Sequence, residues 1–203
     1  MRTEDRDKKP KALSPTPLRD WVERQPKKRR IAFVVLAALL IACGGQAAFY
    51  FDMTPVPATQ QTLFALLAGA LLGSRLGSVA AFLYLLMASF TGFMWPVGSG
   101  LTPMVGILAG YLWSLPIVAF LSGYFVERAK SEQPVFFAIG ACAAIAAYDV
   151  LGSMRLMIAQ GVTAAEAVVS GSTFFVGQHF AQGALTVLIA SSASSNLQAR
   201  EKK

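Results

Sequence analysis

Apolar residues run through this chain in long blocks, and the polar residues between them fall into short clusters. From residue 31 onward the blocks cover about 31–51, 61–72, 78–90, 104–126, 135–159 and 164–190. A helix needs about 20 apolar residues to cross a bilayer, and most of these blocks approach that length. No sustained alternation of period two is present, so a closed β-barrel is not indicated. Helices are the remaining way to satisfy backbone groups in lipid. The pattern predicts an all-α, polytopic membrane protein with six transmembrane helices.

The polar clusters mark the breaks. Residues 52–61 hold Pro55 and Pro57 and cannot be continuous helix. Residues 73–77 read as a tight turn carrying Arg75 between two glycines. Residues 91–103 are uncharged and rich in Gly and Pro, with Trp95 as an expected interface anchor. Pro116 is expected to kink the fourth span. The segment 127–133 is the most charged internal loop. The expected organisation is a basic, mostly disordered N-terminal tail over 1–29, a six-helix domain over 30–192 and a C-terminal tail over 193–203. Within the first tail, Leu18, Trp21 and Val22 share one helical face, which fits either a short surface helix or an unstructured tail.

Composition narrows this picture. Of 203 residues 55% are hydrophobic and 14% charged, too few charges for a soluble domain of this length. The net charge of +7 comes from a lopsided distribution, because 11 of the 18 Lys and Arg lie in the first 30 residues. Placed before an apolar span, they read as a topology signal and a contact for anionic membrane lipids, with no nucleic acid implied. The loops at 52–61, 91–103 and 160–163 contain no Lys or Arg, which places both termini in the cytoplasm of a multi-pass protein of the cell (inner) membrane. Cys43 and Cys142 lie within apolar blocks and suggest packing, not a disulfide or a metal site.

A close resemblance enters at 54–77. The stretch Thr54-Pro-Val-Pro-Ala-Thr-Gln-Gln-Thr-Leu, followed by Leu71-Leu-Gly-Ser-Arg-Leu-Gly77, resembles the BioY family of biotin transporters. The likeness continues through Tyr84-Leu-Leu, Gly98-Ser-Gly100 and Gly110-Tyr-Leu112. It implies the substrate-binding S component of an energy-coupling factor transporter. Such a protein is not an enzyme and carries no cofactor. It binds biotin or a related small molecule from the outer side and works with a coupling transmembrane subunit and two ATPase subunits. The absence of a Gly-x-x-x-x-Gly-Lys-Ser/Thr motif agrees that ATP hydrolysis lies elsewhere. The resemblance also implies a docking surface of small residues on the first span, where Ala38 and Ala42 fit; ordinary close packing between helices explains them equally. One departure stands out. The family's Pro-Gly-Asp-x-x-Lys segment reads Val176-Gly-Gln-His-Phe-Ala181 here, so Gln178 and Ala181 replace its Asp and Lys.

Candidate chemistry follows from polar residues placed where lipid makes them costly. Asp149 and Arg155 lie inside the fifth block, where an ionised group costs about 2.5–3.5 kcal/mol on insertion scales. Arg155 fits a pocket mouth holding a carboxylate, or snorkelling to the interface. Gln178, His179 and Gln182 form one polar stripe, suited to a polar ligand or to bonding between helices. By resemblance Thr59, Gln60, Gln61, Gly98, Ser99, Gly100 and Tyr111 belong to the pocket and its cap; the glycines equally serve as turns. His179 has no second ligand at metal spacing, so no metal is expected. An intramembrane hydrolase lacks a nucleophile elbow in this sequence, and a purely structural protein would use the polar stripe as glue between helices.

Overall fold

In the computed structural model, the structure describes residues 17–91, 95, 98, 100–129 and 134–201. Its helices are α1 (Pro17–Glu23), α2 (Lys27–Gln46), α3 (Gln61–Leu72), α4 (Ser74–Phe90), α5 (Thr102–Val105), α6 (Ala109–Arg128), α7 (Pro134–Gln160), α8 (Ala164–Gly171) and α9 (Val176–Glu201). Strands β1 (Phe49–Phe51) and β2 (Thr54–Ala58) form an antiparallel hairpin between α2 and α3. The six principal helices are α2, α3, α4, α6, α7 and α9. Among the described residues, four stretches are long and apolar enough to cross a membrane: α2, α6, α7 and the run from Ala164 to Arg200. The shorter apolar helices α3 and α4 complete the bundle.

The 12 residues of α3 rise only about 18 Å, less than a bilayer core. They need not match it, because α3 packs against α2, α4, α6 and α9 and buries Thr62, Ala65, Leu66, Ala68 and Gly69 away from lipid. Small residues allow this. A Cβ on Gly69 would lie 2.0 Å from the Ala119 carbonyl oxygen, and one on Gly77 would meet the Gly69 backbone at 2.6 Å. Backbones this close gain dispersion contacts, the main adhesive between helices in lipid.

The 73–77 turn is narrower than the sequence suggested. Only Gly73 interrupts the helix, with φ +88°, and Ser74 already begins α4. Glu127 makes the sharp start possible. Its carboxylate accepts the Ser74 backbone N–H at 2.8 Å and the Ser74 hydroxyl, occupying the positive end of α4.

Three further features depart from the pattern. The first apolar block ends its helix at Gln46, because Gly44 and Gly45 bring α2 against the start of α3, where Gln60 N–H donates to the Gly44 carbonyl at 2.9 Å. Residues 49–51 are therefore strand, and Pro55 and Pro57 sit in the short second strand, where a missing donor is tolerated. The sixth block is two helices, not one. A Thr163–Glu166 capping box starts α8, and Gly171 lies against the Tyr111 hydroxyl. Ser172 then turns aside to meet Ser153 Oγ at 2.8 Å, and a 3-10 turn over Thr173–Phe175 leads into α9. Finally, both cysteines are exposed on the outside of the bundle, so the expected packing role does not apply.

At the other end of the chain's path, α1 packs against α3 and α9, burying Leu18 and Val22, while Trp21 stacks on Phe33 at 5.8 Å. The basic residues 27–30 are already helical and begin α2, so 17–29 is ordered in contrast to the tail expected there; α9 likewise continues beyond 193 to Glu201.

Candidate functional site

The end of the bundle that carries the hairpin also gathers the aromatic residues. Tyr84 of α4 is fully buried, and its ring meets Trp95 edge-on at 5.7 Å. Trp95 is buried rather than an interface anchor. Its indole N–H donates to the Gly100 carbonyl at 2.8 Å, and its own carbonyl accepts from Gln46. Gly98 and Gly100 have φ of +80° and +60°, which explains the glycines in this loop as turn formers. Ser99 lies outside the described residues. Gln61 opens α3 and its amide donates to the Tyr84 hydroxyl, so this candidate faces the aromatic group.

A second group lies between α6, α7 and α9. The Tyr111 ring is 5.0 Å from that of Tyr148, and Tyr148 meets His179 edge-on at 5.6 Å. Gly152 and Gly171 make room for Tyr111, since a Cβ on either would collide with its ring or hydroxyl. Asp149 Oδ2 lies 3.3 Å from His179 Nδ1. Among the described residues, the Tyr111 hydroxyl, Asp149 Oδ1, His179 Nδ1 and Gln182 Oε1 are buried atoms without a hydrogen-bond partner of normal geometry. Leaving such a group unpaired costs about 1–3 kcal/mol each. Asp149 Oδ1 and Gln182 Oε1 are acceptors that a polar ligand would relieve.

The polar stripe of α9 is split between two tasks. Gln178 and Gln182 both donate to the Thr59 carbonyl, at 2.7 and 3.0 Å, and Gln182 also reaches Gln60 Oε1 at 3.1 Å. These bonds pin the segment joining the hairpin to α3 against α9. His179, between them in sequence, turns instead toward α7. The stripe thus joins the hairpin to the Tyr148–Asp149 pair.

Arg155 spends its donors on backbone. Its Nε donates to the Gly106 carbonyl at 3.0 Å and its Nη2 to the Val105 carbonyl, so the guanidinium caps the end of α5. Ala38 and Ala42 are buried with Ile41 in the core; the outward face of α2 carries Val35, Leu36, Leu39 and Leu40. The sequence left out Phe175, whose ring lies 6.3 Å from that of His179, as a part of this end of the bundle. Thr59 acts through its backbone carbonyl, which no side-chain pattern reports. Asp149 and His179 also line an apolar groove of about 660 Å³ between α7 and α9, flanked by Ala141, Cys142, Ile145, Gly183 and Ala184. Among the described residues no group of three or more His, Cys, Asp or Glu is placed to hold a metal.

Residues 16–199 match the model of the BioY family. The chain belongs to the BioY family. The probable biotin transporter BioY of Pyrococcus horikoshii is 30% identical over 102 residues, covering 48% of this chain and 59% of that protein. The biotin transporter BioY of Rhodobacter capsulatus is 35% identical over 140 residues, or 66% of this chain and 68% of that one. The biotin transporter BioY of Rhizobium etli is 28% identical over 139 residues, covering 64% and 68%. The match thus spans under two thirds of the Pyrococcus relative and just over two thirds of the other two. In fold, the chain is similar to a crystal structure of the S-component for biotin from an ECF-type ABC transporter. The TM-score is 0.76 at 20% sequence identity, covering 82% of this chain and 91% of that one. This establishes the S-component fold, a polytopic helical bundle, for the chain.

Proposed function

We propose that this protein is the substrate-binding membrane subunit of a biotin uptake system and has no catalytic activity of its own. Membership of the BioY family supports the substrate class. The structural observation that carries the reading is the pair of unpartnered buried acceptors on Asp149 and Gln182, in a region that also holds Tyr111 and His179 and the aromatic rings of Tyr84, Trp95 and Tyr148. A bicyclic ureido ring offers flat apolar faces to aromatic rings and N–H and C=O groups to unpaired acceptors and donors. Asp149 Oδ1 and Gln182 Oε1 are the acceptors, and the Tyr111 hydroxyl is the donor. Gln61, Gly98, Gly100 and Gln178 shape and close the site, and Arg155 acts indirectly by holding the 105–106 backbone.

The distribution of Lys and Arg supports the orientation: both termini face the cytoplasm of the inner membrane, and the hairpin end faces outward. The binding unit comprises 30–192 together with α1. Transport then draws on an ATP-driven coupling module, a transmembrane subunit with two ATPases, as the likeness to an ECF-type S-component suggests.

A second reading, an S component for a different vitamin-like ligand, is favoured by one observation. Gln178 spends its amide donor on the Thr59 carbonyl, and Ala181 is exposed, so neither supplies a charge to a ligand. Binding of labelled biotin to the purified full-length chain decides between them. The first reading expects tight, saturable binding that weakens at least tenfold in Asp149→Asn and in Gln182→Leu. Folded protein that binds no biotin but is stabilised by another vitamin in a thermal-shift screen establishes the second.

A further inference from the structure

The opposite end of the bundle holds a cavity that the transport reading does not use. It has a volume of about 620 Å³ and is lined by Arg19, Arg30, Arg75 and Arg128, by Glu23 and Glu127, and by Leu72, Leu76, Phe120 and Tyr124. Its charges are not equivalent. Arg19 and Glu23 neutralise each other through a 2.9 Å ion pair. Glu127 is committed to the N-terminus of α4 through Ser74. Arg128 lies over the Tyr124 ring, 3.6 Å from its centre, a contact that leaves its N–H edges open. Arg30 and Arg75 make no side-chain ion pair or hydrogen bond among the described residues. Three guanidinium groups therefore converge on one cavity with their donors unused.

The level of these residues in the fold identifies the occupant. Arg30 immediately precedes the apolar run of α2, Arg75 opens α4, and Arg128 closes α6. All three sit where a spanning helix meets polar chain, the depth of lipid phosphates. The apolar lining continues from the arginines along α6, where Phe120, Tyr124 and Arg128 are spaced by four and Phe120 is among the exposed large hydrophobic residues. A site with guanidinium forks at the helix ends and exposed apolar side chains further along the same helix suits an amphiphile with an anionic head. An acidic protein segment has no use for the apolar lining, and a free phosphate has none either.

We propose that this cavity binds the phosphate headgroup of one anionic phospholipid, held by Arg30, Arg75 and Arg128, with its acyl chains along Leu76 and Phe120. Guanidinium suits the task because its N–H fork pairs with two phosphate oxygens at once. Bound there, the lipid ties α2, α4 and α6 together at the end remote from the hairpin.

The full-length protein in detergent, supplied with phosphatidylglycerol or phosphatidylcholine of the same acyl chains, tests this by native mass spectrometry and by thermal unfolding. The expected result is one retained phosphatidylglycerol, a rise in Tm that phosphatidylcholine does not produce, and at least tenfold weaker retention in Arg75→Gln and Arg128→Gln. Lys27→Gln and Lys28→Gln, which remove charge outside the cavity, should leave retention unchanged. Should Arg128→Gln fail to fold, Arg30→Gln carries the same test. Equal retention of both lipids, or equal losses in the lysine and arginine variants, overturns the proposal. Inorganic phosphate raising Tm as much as the lipid at equal concentration overturns the lipid as source. Loss of binding to an ATPase-driven coupling module with lipid retention intact would reassign the cavity to a protein partner.

Discussion

Helices α3, α4 and α6 meet through backbone, whereas α7 and α9 meet through side chains that leave gaps. In the first region Gly69, Gly77 and Gly123 have no room for a single added carbon; a Cβ on Gly123 would lie 2.4 Å from the Ser74 nitrogen. The polar group at that seam is paired: the Ser122 hydroxyl donates to the Leu66 carbonyl at 2.9 Å. In the second region Gly177 has open space around it, and a Cβ on Gly183 would meet only side-chain atoms, Ile145 Cδ1 at 3.3 Å and Ala141 Cβ at 3.7 Å. The buried polar atoms without partners also collect there, on Asp149, His179 and Gln182. The contrast separates a scaffold, where every contact is used, from a site, where contacts are held in reserve. Stability should therefore be concentrated in the first region and ligand affinity in the second.

The sharpest way to break this comparison is Gly69→Leu. Its side chain has no free volume against the Ala119 carbonyl, so the variant should lose about 3 kcal/mol or more and give little folded protein on gel filtration. A stable, binding-competent Gly69→Leu protein would mean that α3 and α6 can separate. Next in size is Asp149→Asn. Biotin binding should fall at least tenfold, about 1.4 kcal/mol, while the Tm of the ligand-free protein changes little, because Asn keeps one oxygen facing His179 and removes only a carboxylate whose Oδ1 has no partner. Unchanged binding with a lower Tm would make the polar cluster part of the scaffold after all.

Gln182→Leu should affect both properties, since this residue pins the Thr59 carbonyl and presents an unpaired oxygen; about 1 kcal/mol of stability is expected to go with the hydrogen bond. Ser122→Ala, the scaffold counterpart, should cost about 0.6 kcal/mol in Tm measurements and leave biotin binding untouched. The smallest effect belongs to Gly177→Ala. With nothing within 4 Å of the new methyl, helix propensity alone should stabilise α9 by up to about 1 kcal/mol.

Legibility in the sequence follows the same division. The number of membrane-level helices and their approximate bounds came from long apolar blocks, because lipid imposes one length scale on every helix that faces it. The pattern failed where lipid was not the neighbour. The block at 31–51 ends in a strand, and the block at 164–190 is broken near Ser172, since Gln60 and Ser153 supply the local partners. Arg155 illustrates the limit for the site. Its charge in an apolar segment required a partner, but the partners are two backbone carbonyls about 50 residues away. No spacing rule encodes them.

The sequence by itself determined the class of molecule: an all-helical membrane protein with its basic residues gathered at one end, of BioY type. Hydrophobicity, charge placement and the 54–77 motif are local properties, readable residue by residue. Only the tertiary structure decided which polar residues are satisfied and which are not. Gln178 and Arg155, both costly in lipid, proved to be paired with distant carbonyls, while Asp149, Tyr111 and Gln182 retained unused polar atoms. Hydrogen-bond satisfaction depends on atoms brought together from several helices at once, and it is settled only when the bundle closes.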